Sequence, residues 1–333
     1  MNKQQRFLMR EITFIEATRE ALTTAMEQDP TIFVMGEGIG KRGGNFTTTL
    51  GLYDRFGPER LCDTPICERG FVGLATGAAM TGTRPVIDFM FIDFILDAMG
   101  ELMNQISKIQ YMSSGRLKMP VLLRGCIGVG HSAATHHSGS YYPFFVNIPG
   151  FRVVLPSNAY DAKGLFASAL RSDDPVIFLE HKSIIFNKTH VPEEDYTIPF
   201  GQARIAREGS DATVVALTVM VDKTLAVCEK LAQEGLSLEV IDPRTVAPLD
   251  LDTILTSVHK TGRLLIVDEN FGPCGVGAEI AARVGDQGFD DLDAPIKRLN
   301  GAHTHVPYSP TLEGAIVPTG ESIEQAIRDL LAE

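Results

Sequence analysis

The sequence predicts an α/β protein: a parallel sheet with helices on both faces, followed by a second, smaller α/β domain. Short, nearly continuous apolar runs alternate with amphipathic stretches along most of the chain, as strands buried on both faces and their crossover helices require. That alternation lapses once, in the polar stretch NKTHVPEEDYTIPFG with its two prolines and three consecutive acidic residues, and then restarts. Finally, 333 residues exceed the size at which a single core keeps growing, so two domains are expected.

Periodicity places a helix over 14–28 and then an apolar strand over 31–35 that stops in the glycine-rich GEGIGKRGG. Further strands fall at 85–90, 120–124, 151–155 and 176–180, with helices over 71–80, 95–112 and 159–171. The polar lapse sets the domains at 1–188 and 203–333, with 189–202 as the linker. In the second domain strands are expected at 212–217, 237–241 and 263–267, and helices over 222–234, 250–259 and 276–286. The chain contains neither a short internal repeat nor a low-complexity tract.

With 44% hydrophobic and 22% charged residues, the composition is that of a globular protein able to bury a large core. The 42 acidic residues against 30 basic ones give a net charge of -12, which disfavours nucleic acid and anionic membrane surfaces as partners. Cys62, Cys67, Cys126, Cys228 and Cys274 are scattered and form no CxxC pair, so neither a disulfide framework nor a zinc knuckle is indicated and a reducing cytoplasm is expected. No signal-peptide core and no membrane-length apolar run is present. The absence of GxSxG and of GxxxxGK[ST] removes the nucleophile-elbow hydrolases and the phosphate-loop NTPases.

Three segments are candidates for chemistry. Gly38, Gly40 and Gly43 match GxGxxG after a strand, with Asp63 at the distance of a ribose-binding acid. The threonine run that follows is a poor start for a phosphate-cradling helix, and a turn is the competing reading. HSAATHH, from His131 to His137, puts three histidines on a Gly- and Ser-rich loop without the acidic residue or HExxH spacing of a familiar metal set. An acid/base or substrate-orienting histidine is one reading, and a polar loop bonding its own backbone is the other. Glu68 stands just ahead of a helix of small residues, Gly73, Ala75, Gly77, Ala78 and Ala79. It is either a carboxylate favoured by the helix dipole or a partly desolvated, tuned group.

Nine segments in order, GEGIG, DTPICERGFVGLATGAAMTGTRPV, DFMFIDF, QISKIQYMSSG, RGCIGVG with HHSGS, PGFRVVLPSNAYDAKGL, DPVIFLEHK, VIDPRTVAPLD and VDENFGPCGVGAEI, together resemble one family. That family is the β subunits of thiamine-diphosphate-dependent 2-oxo acid dehydrogenase (E1) components, of pyruvate, branched-chain or acetoin type. The resemblance implies a transketolase-like pyrimidine-binding domain followed by a transketolase C-terminal-like domain. It also implies that Glu68 hydrogen-bonds the ring nitrogen of the cofactor's aminopyrimidine, favouring the imino tautomer that deprotonates the thiazolium. Phe94 of DFMFIDF then falls on the aromatic that stacks on the pyrimidine, and His137 on the active-site loop histidine that shuttles protons.

Thiamine enzymes that hold their own diphosphate resemble one another in a GDG motif followed by an asparagine, and no GDG occurs in this chain. The resemblance therefore implies Mg2+ held by an α subunit, no metal ligands here, an α2β2 heterotetramer, and a lipoyl-bearing E2 acyltransferase that receives the acyl group from a 2-oxo acid or ketol substrate. Departures from the pattern are Arg69, where relatives often carry a small or apolar residue, His136 in place of a glutamine, and the continuation SYYPFF. Two other functions are compatible with the same segments: a split transketolase moving a two-carbon ketol unit, and a noncatalytic scaffold that docks E2.

Overall fold

The apolar runs become the central strands of two sheets in a computed structural model that describes residues 9–333. The chain divides into two units. One comprises the residues up to Ile127 together with Phe144–Phe200, the other Gly128–Pro143 together with Gly201–Glu333.

The first unit opens with β1 (Met9–Thr13) and α1 (Phe14–Gln28). A capping box starts this helix: the Thr13 hydroxyl accepts the Glu16 N–H at 3.2 Å and the Glu16 carboxylate accepts the Thr13 N–H at 2.8 Å. Then come β2 (Ile32–Gly36), β3 (Leu61–Asp63), α2 (Glu68–Met80), β4 (Arg84–Phe91), β5 (Leu122–Ile127), β6 (Arg152–Val154), α3 (Ala159–Arg171), β7 (Val176–His181) and β8 (Lys188–Pro192). Six of these strands form a parallel sheet in the order β6-β7-β5-β4-β2-β3. Its core includes Leu22, Met26, Val34, Val86, Leu122, Phe166 and Phe178, each worth about 1.5–3 kcal/mol of burial.

This strand order decides where a site can form. From the carboxyl end of β2 the chain runs outward to β3, whereas from that of β4 it runs the opposite way to β5. Adjacent parallel strands whose connections diverge leave a crevice at their carboxyl ends, where ligands of open α/β sheets bind.

Two segments differ from the sequence expectation. The helix expected over 95–112 is a 3-10 stretch (Ile92–Ala98), one α turn (Met99–Glu101), a π turn (Leu102–Ile106) and a last short helix (Ile109–Met112). The Ser107 hydroxyl donates to the Met103 carbonyl at 2.9 Å and the Ser107 N–H reaches back to Leu102 at 3.0 Å, so one side chain replaces an α-helical bond and widens the turn. Within the expected linker, β8 pairs antiparallel with β1 in the register Met9 to Pro192. Prolines and acids mark a break in helix and core pattern, yet the strand KTHVP ends on its one proline and the three acids follow it, an arrangement an edge strand tolerates.

The second unit contains β9 (Arg204–Arg207), β10 (Ala212–Ala216), α4 (Met220–Ala232), β11 (Leu238–Asp242), β12 (Thr245–Ala247), α5 (Leu251–Thr261), β13 (Leu264–Phe271), α6 (Val276–Gln287), β14 (Lys297–Gly301) and α7 (Gly320–Leu331). Its sheet runs β14-β13-β10-β11-β9, parallel except for the edge strand β9. Residues 128–143, expected with the first domain, cluster here because their polar groups bond to it: the Val129 N–H to Glu269, the Ser132 N–H to Glu313 and the Thr135 hydroxyl to the Val306 carbonyl. Among the described residues no helix is long and apolar enough to cross a membrane.

Candidate active site

The crevice between β2 and β4 is built by one close backbone contact and one carboxylate. A Cβ on Gly36, the last residue of β2, would lie 2.3 Å from the Asp88 carbonyl oxygen, so only glycine lets the two strand ends come this near. The buried Asp88 side chain accepts the Thr48 hydroxyl at 2.7 Å and the Met90 N–H at 2.9 Å, tying the glycine-rich loop to the end of β4. Met90 takes φ 66°, and the pairing with β5 shifts register between Asp88 and Phe91. This kink starts the 3-10 stretch that carries Phe94, which is half-buried.

Glu68 is the first residue of α2 and is 8% exposed. No hydrogen bond from a described residue reaches its carboxylate, and its oxygens are not among the buried side-chain atoms left without a partner, so they touch solvent. Its electrostatic neighbour is Glu37, directly after β2. Burial first, and the charge of Glu68 second, hold the Glu37 carboxyl above the usual carboxylate range. Two acids in unlike surroundings can divide the work of holding and releasing a proton. Sequence reading singled out Glu68 and Phe94 but passed over Glu37. The available signal was an acidic residue immediately after an apolar strand, inside a glycine cluster.

The GxGxxG stretch folds on itself. The Gly43 N–H donates to the Gly40 carbonyl at 2.9 Å, the Gly44 N–H to Gly38 at 2.8 Å, and the Gly40 N–H to the Asp63 carboxylate at 3.0 Å. With these donors spent and only the short helix Leu52–Phe56 following, the loop is a turn at the crevice rim rather than a phosphate cradle.

His137 belongs to the second unit. It closes the 3-10 turn Thr135–His137, is half-buried, and has Nδ1 3.3 Å from the Ala133 carbonyl. His131 and His136 are exposed, and among the described residues no group of three His, Cys, Asp or Glu is placed to hold a metal ion. Three non-glycine residues of this loop are left-handed: His131 (φ 61°), Ser132 (φ 52°) and Ala134 (φ 58°). Such backbone tends to gather at functional loops.

Beneath the loop the Tyr142 hydroxyl donates to Asp268 Oδ1, which also accepts the Asn270 N–H at 3.0 Å. Burial pushes the Asp268 carboxyl up to about 6 against the opposing pull of these two donors, with Glu269 adding to the rise. Its other oxygen, Oδ2, is buried without a partner, so no donor on that side offsets the cost of burying the charge. The folded state therefore binds more protons than the unfolded state between roughly pH 4 and pH 6. The resulting penalty is absent below that window and complete above it, about 3 kcal/mol for a shift of about two units. Asp268→Asn, which keeps an acceptor for Tyr142, is expected to lose less stability than the wild type between pH 4 and pH 8 in thermal unfolding. Parallel pH profiles would contradict this.

Residues 10–186 match the transketolase pyrimidine-binding domain family and residues 201–323 the transketolase C-terminal domain family. The chain is 43% identical to the acetoin:2,6-dichlorophenolindophenol oxidoreductase subunit beta of Bacillus subtilis, over 98% of this chain and 99% of that one. It is 42% identical to the pyruvate dehydrogenase E1 component subunit beta of Rickettsia felis, over 96% and 98%. Among solved structures it superimposes on a split-gene transketolase described as an inactive β4 tetramer, with a TM-score of 0.77 at 21% identity over 96% of this chain and 98% of the other, a likeness of fold.

Proposed function

The chain belongs to the transketolase-like family of E1 β subunits, and from that premise we propose that it supplies the pyrimidine-binding half of a thiamine diphosphate site. The Mg2+-binding half lies on an α subunit, in an α2β2 enzyme that acts on acetoin or a 2-oxo acid and acylates the lipoyl group of an E2 partner. The observation that carries this reading is Glu68, a largely buried residue whose carboxylate oxygens still touch solvent and take no hydrogen bond from the described residues, near the carboxyl ends of diverging strands. A carboxylate in that condition fits a ligand that brings a donor nitrogen, and the half-buried Phe94 fits the flat face of its ring.

When bound, the cofactor would supply a nucleophilic carbon and an electron sink. Glu68 holds the proton at the pyrimidine ring nitrogen, and its burial keeps that interaction strong. Glu37, raised by burial and by the charge of Glu68, stands as a proton reservoir beside it. Phe94 fixes the pyrimidine's orientation, and His137 moves the proton of the acyl-transfer step. Five free cysteines, two of them exposed, suit a reducing cytoplasm.

Coexpression with a candidate α subunit tests this reading through thiamine-dependent dye reduction with acetoin, pyruvate and 2-oxoisovalerate. Turnover is expected only with both chains. His137→Asn is expected to lower acylation of lipoamide by about 10²-fold or more, while leaving cofactor binding intact. A sugar phosphate accepted in place of lipoamide would decide for ketol transfer instead.

A further inference from the structure

We propose that Glu269 and Glu313 form a carboxylate latch that holds the His137 loop in its left-handed turns and so positions the imidazole. Only the role given to His137 in this statement rests on the function proposed above. Left-handed, non-glycine backbone persists when its surroundings over-determine it, and this loop has three such residues in a stretch of four, His131, Ser132 and Ala134. Two buried glutamates from different elements supply the constraint. Glu269 on β13 accepts the Val129 N–H at 2.7 Å, next to Gly130 with φ 136°. Glu313, on the short helix Pro310–Ala315, accepts the N–H of the left-handed Ser132 itself at 3.1 Å.

Both acids are at least nine-tenths buried, so these are charge-assisted bonds in a water-poor setting. The second oxygen of Glu313, Oε1, is buried and makes no hydrogen bond within the protein, so the side chain's one hydrogen bond is the one to the loop. Neutral bonds flank the pair, from the Thr135 hydroxyl to Val306 at 2.9 Å and from the Asn270 amide to the Ser140 carbonyl at 2.6 Å. Between the Glu313 and Thr135 anchors lies Ala133, whose carbonyl faces His137 Nδ1. Releasing Ser132 therefore frees the histidine's own partner.

Amide hydrogen exchange on the full chain tests the latch. In Glu313→Ala, peptides covering 128–140 are expected to exchange about tenfold faster or more, with the first unit's sheet unchanged. Glu313→Gln, whose amide oxygen still accepts, should stay near wild type. Unchanged loop exchange in Glu313→Ala would overturn the proposal, as would acceleration spread evenly over the whole second unit.

In the α-paired enzyme, Glu313→Ala should lower kcat with little change in KM. Combined with His137→Asn it should add no further loss, and multiplicative losses would overturn the positioning role. If His137→Asn alone leaves kcat intact while Glu313→Ala still loosens the loop, the latch stands and the proton-transfer role of His137 falls.

Discussion

Glu68→Ala in the α-paired enzyme should lower thiamine-dependent kcat by about 10²- to 10⁴-fold, with little change in the stability of the chain. The two halves of that result come from one observation. The Glu68 residue is 8% exposed, yet its carboxylate oxygens touch solvent and receive no hydrogen bond from the described residues, so the side chain contributes little to the fold. Removing it therefore costs the fold little, while on the proposed function it removes the partner of the pyrimidine nitrogen. Glu68→Gln should fall between, since it still accepts a hydrogen bond but cannot hold charge. Steady-state rates with saturating cofactor, alongside thermal unfolding of the β chain, measure both halves. A kcat within threefold of wild type would remove Glu68 from the chemistry.

Arg124→Met should destabilise the first unit by about 3–5 kcal/mol, because it strands a buried charge. Arg124 and Glu180 are each 1% exposed, with guanidinium to carboxylate bonds of 2.7 and 3.0 Å, and the guanidinium also lies 4.9 Å from the centre of the Phe166 ring. Thr18 reaches the same carboxylate at 3.4 Å, which links α1 to the pair. Exchanging both partners, Arg124→Met with Glu180→Leu, should recover part of the loss, since Glu180 is then no longer left without its partner, while the buried Asp88 still loses the nearby guanidinium. Urea unfolding of Arg124→Met, Glu180→Leu and the double variant decides the matter. Single substitutions costing under about 1 kcal/mol would mean that water reaches the pair.

The strands read from the sequence are those buried on both faces. β5, β7, β10 and β11 consist of buried residues throughout, so an apolar run is an unambiguous signal for each. The edge strands β1, β3, β8 and β9 were not visible, being short and half exposed, with pairings set by distant partners such as Met9 with Pro192. The 92–112 segment misled because its apolar spacing suits an α-helix, while the Ser107 hydroxyl and the kink after Asp88 redirect the backbone. At the site, Glu68 and Phe94 stood out through their motifs. Glu37 did not, because its perturbation comes first from burial and second from the charge of Glu68, both set by the fold. The latch on the histidine loop was equally hidden, since Glu269 and Glu313 lie far along the chain from Val129 and Ser132.

The shared site itself is tested most directly by titrating thiamine diphosphate and Mg2+ into the purified β chain, alone and then reconstituted with its α subunit, by calorimetry. The β chain alone should give no tight, Mg2+-dependent binding, and the reconstituted pair should give stoichiometric binding that weakens in Glu68→Ala. Tight Mg2+-dependent binding by the isolated β chain, with turnover, would contradict it.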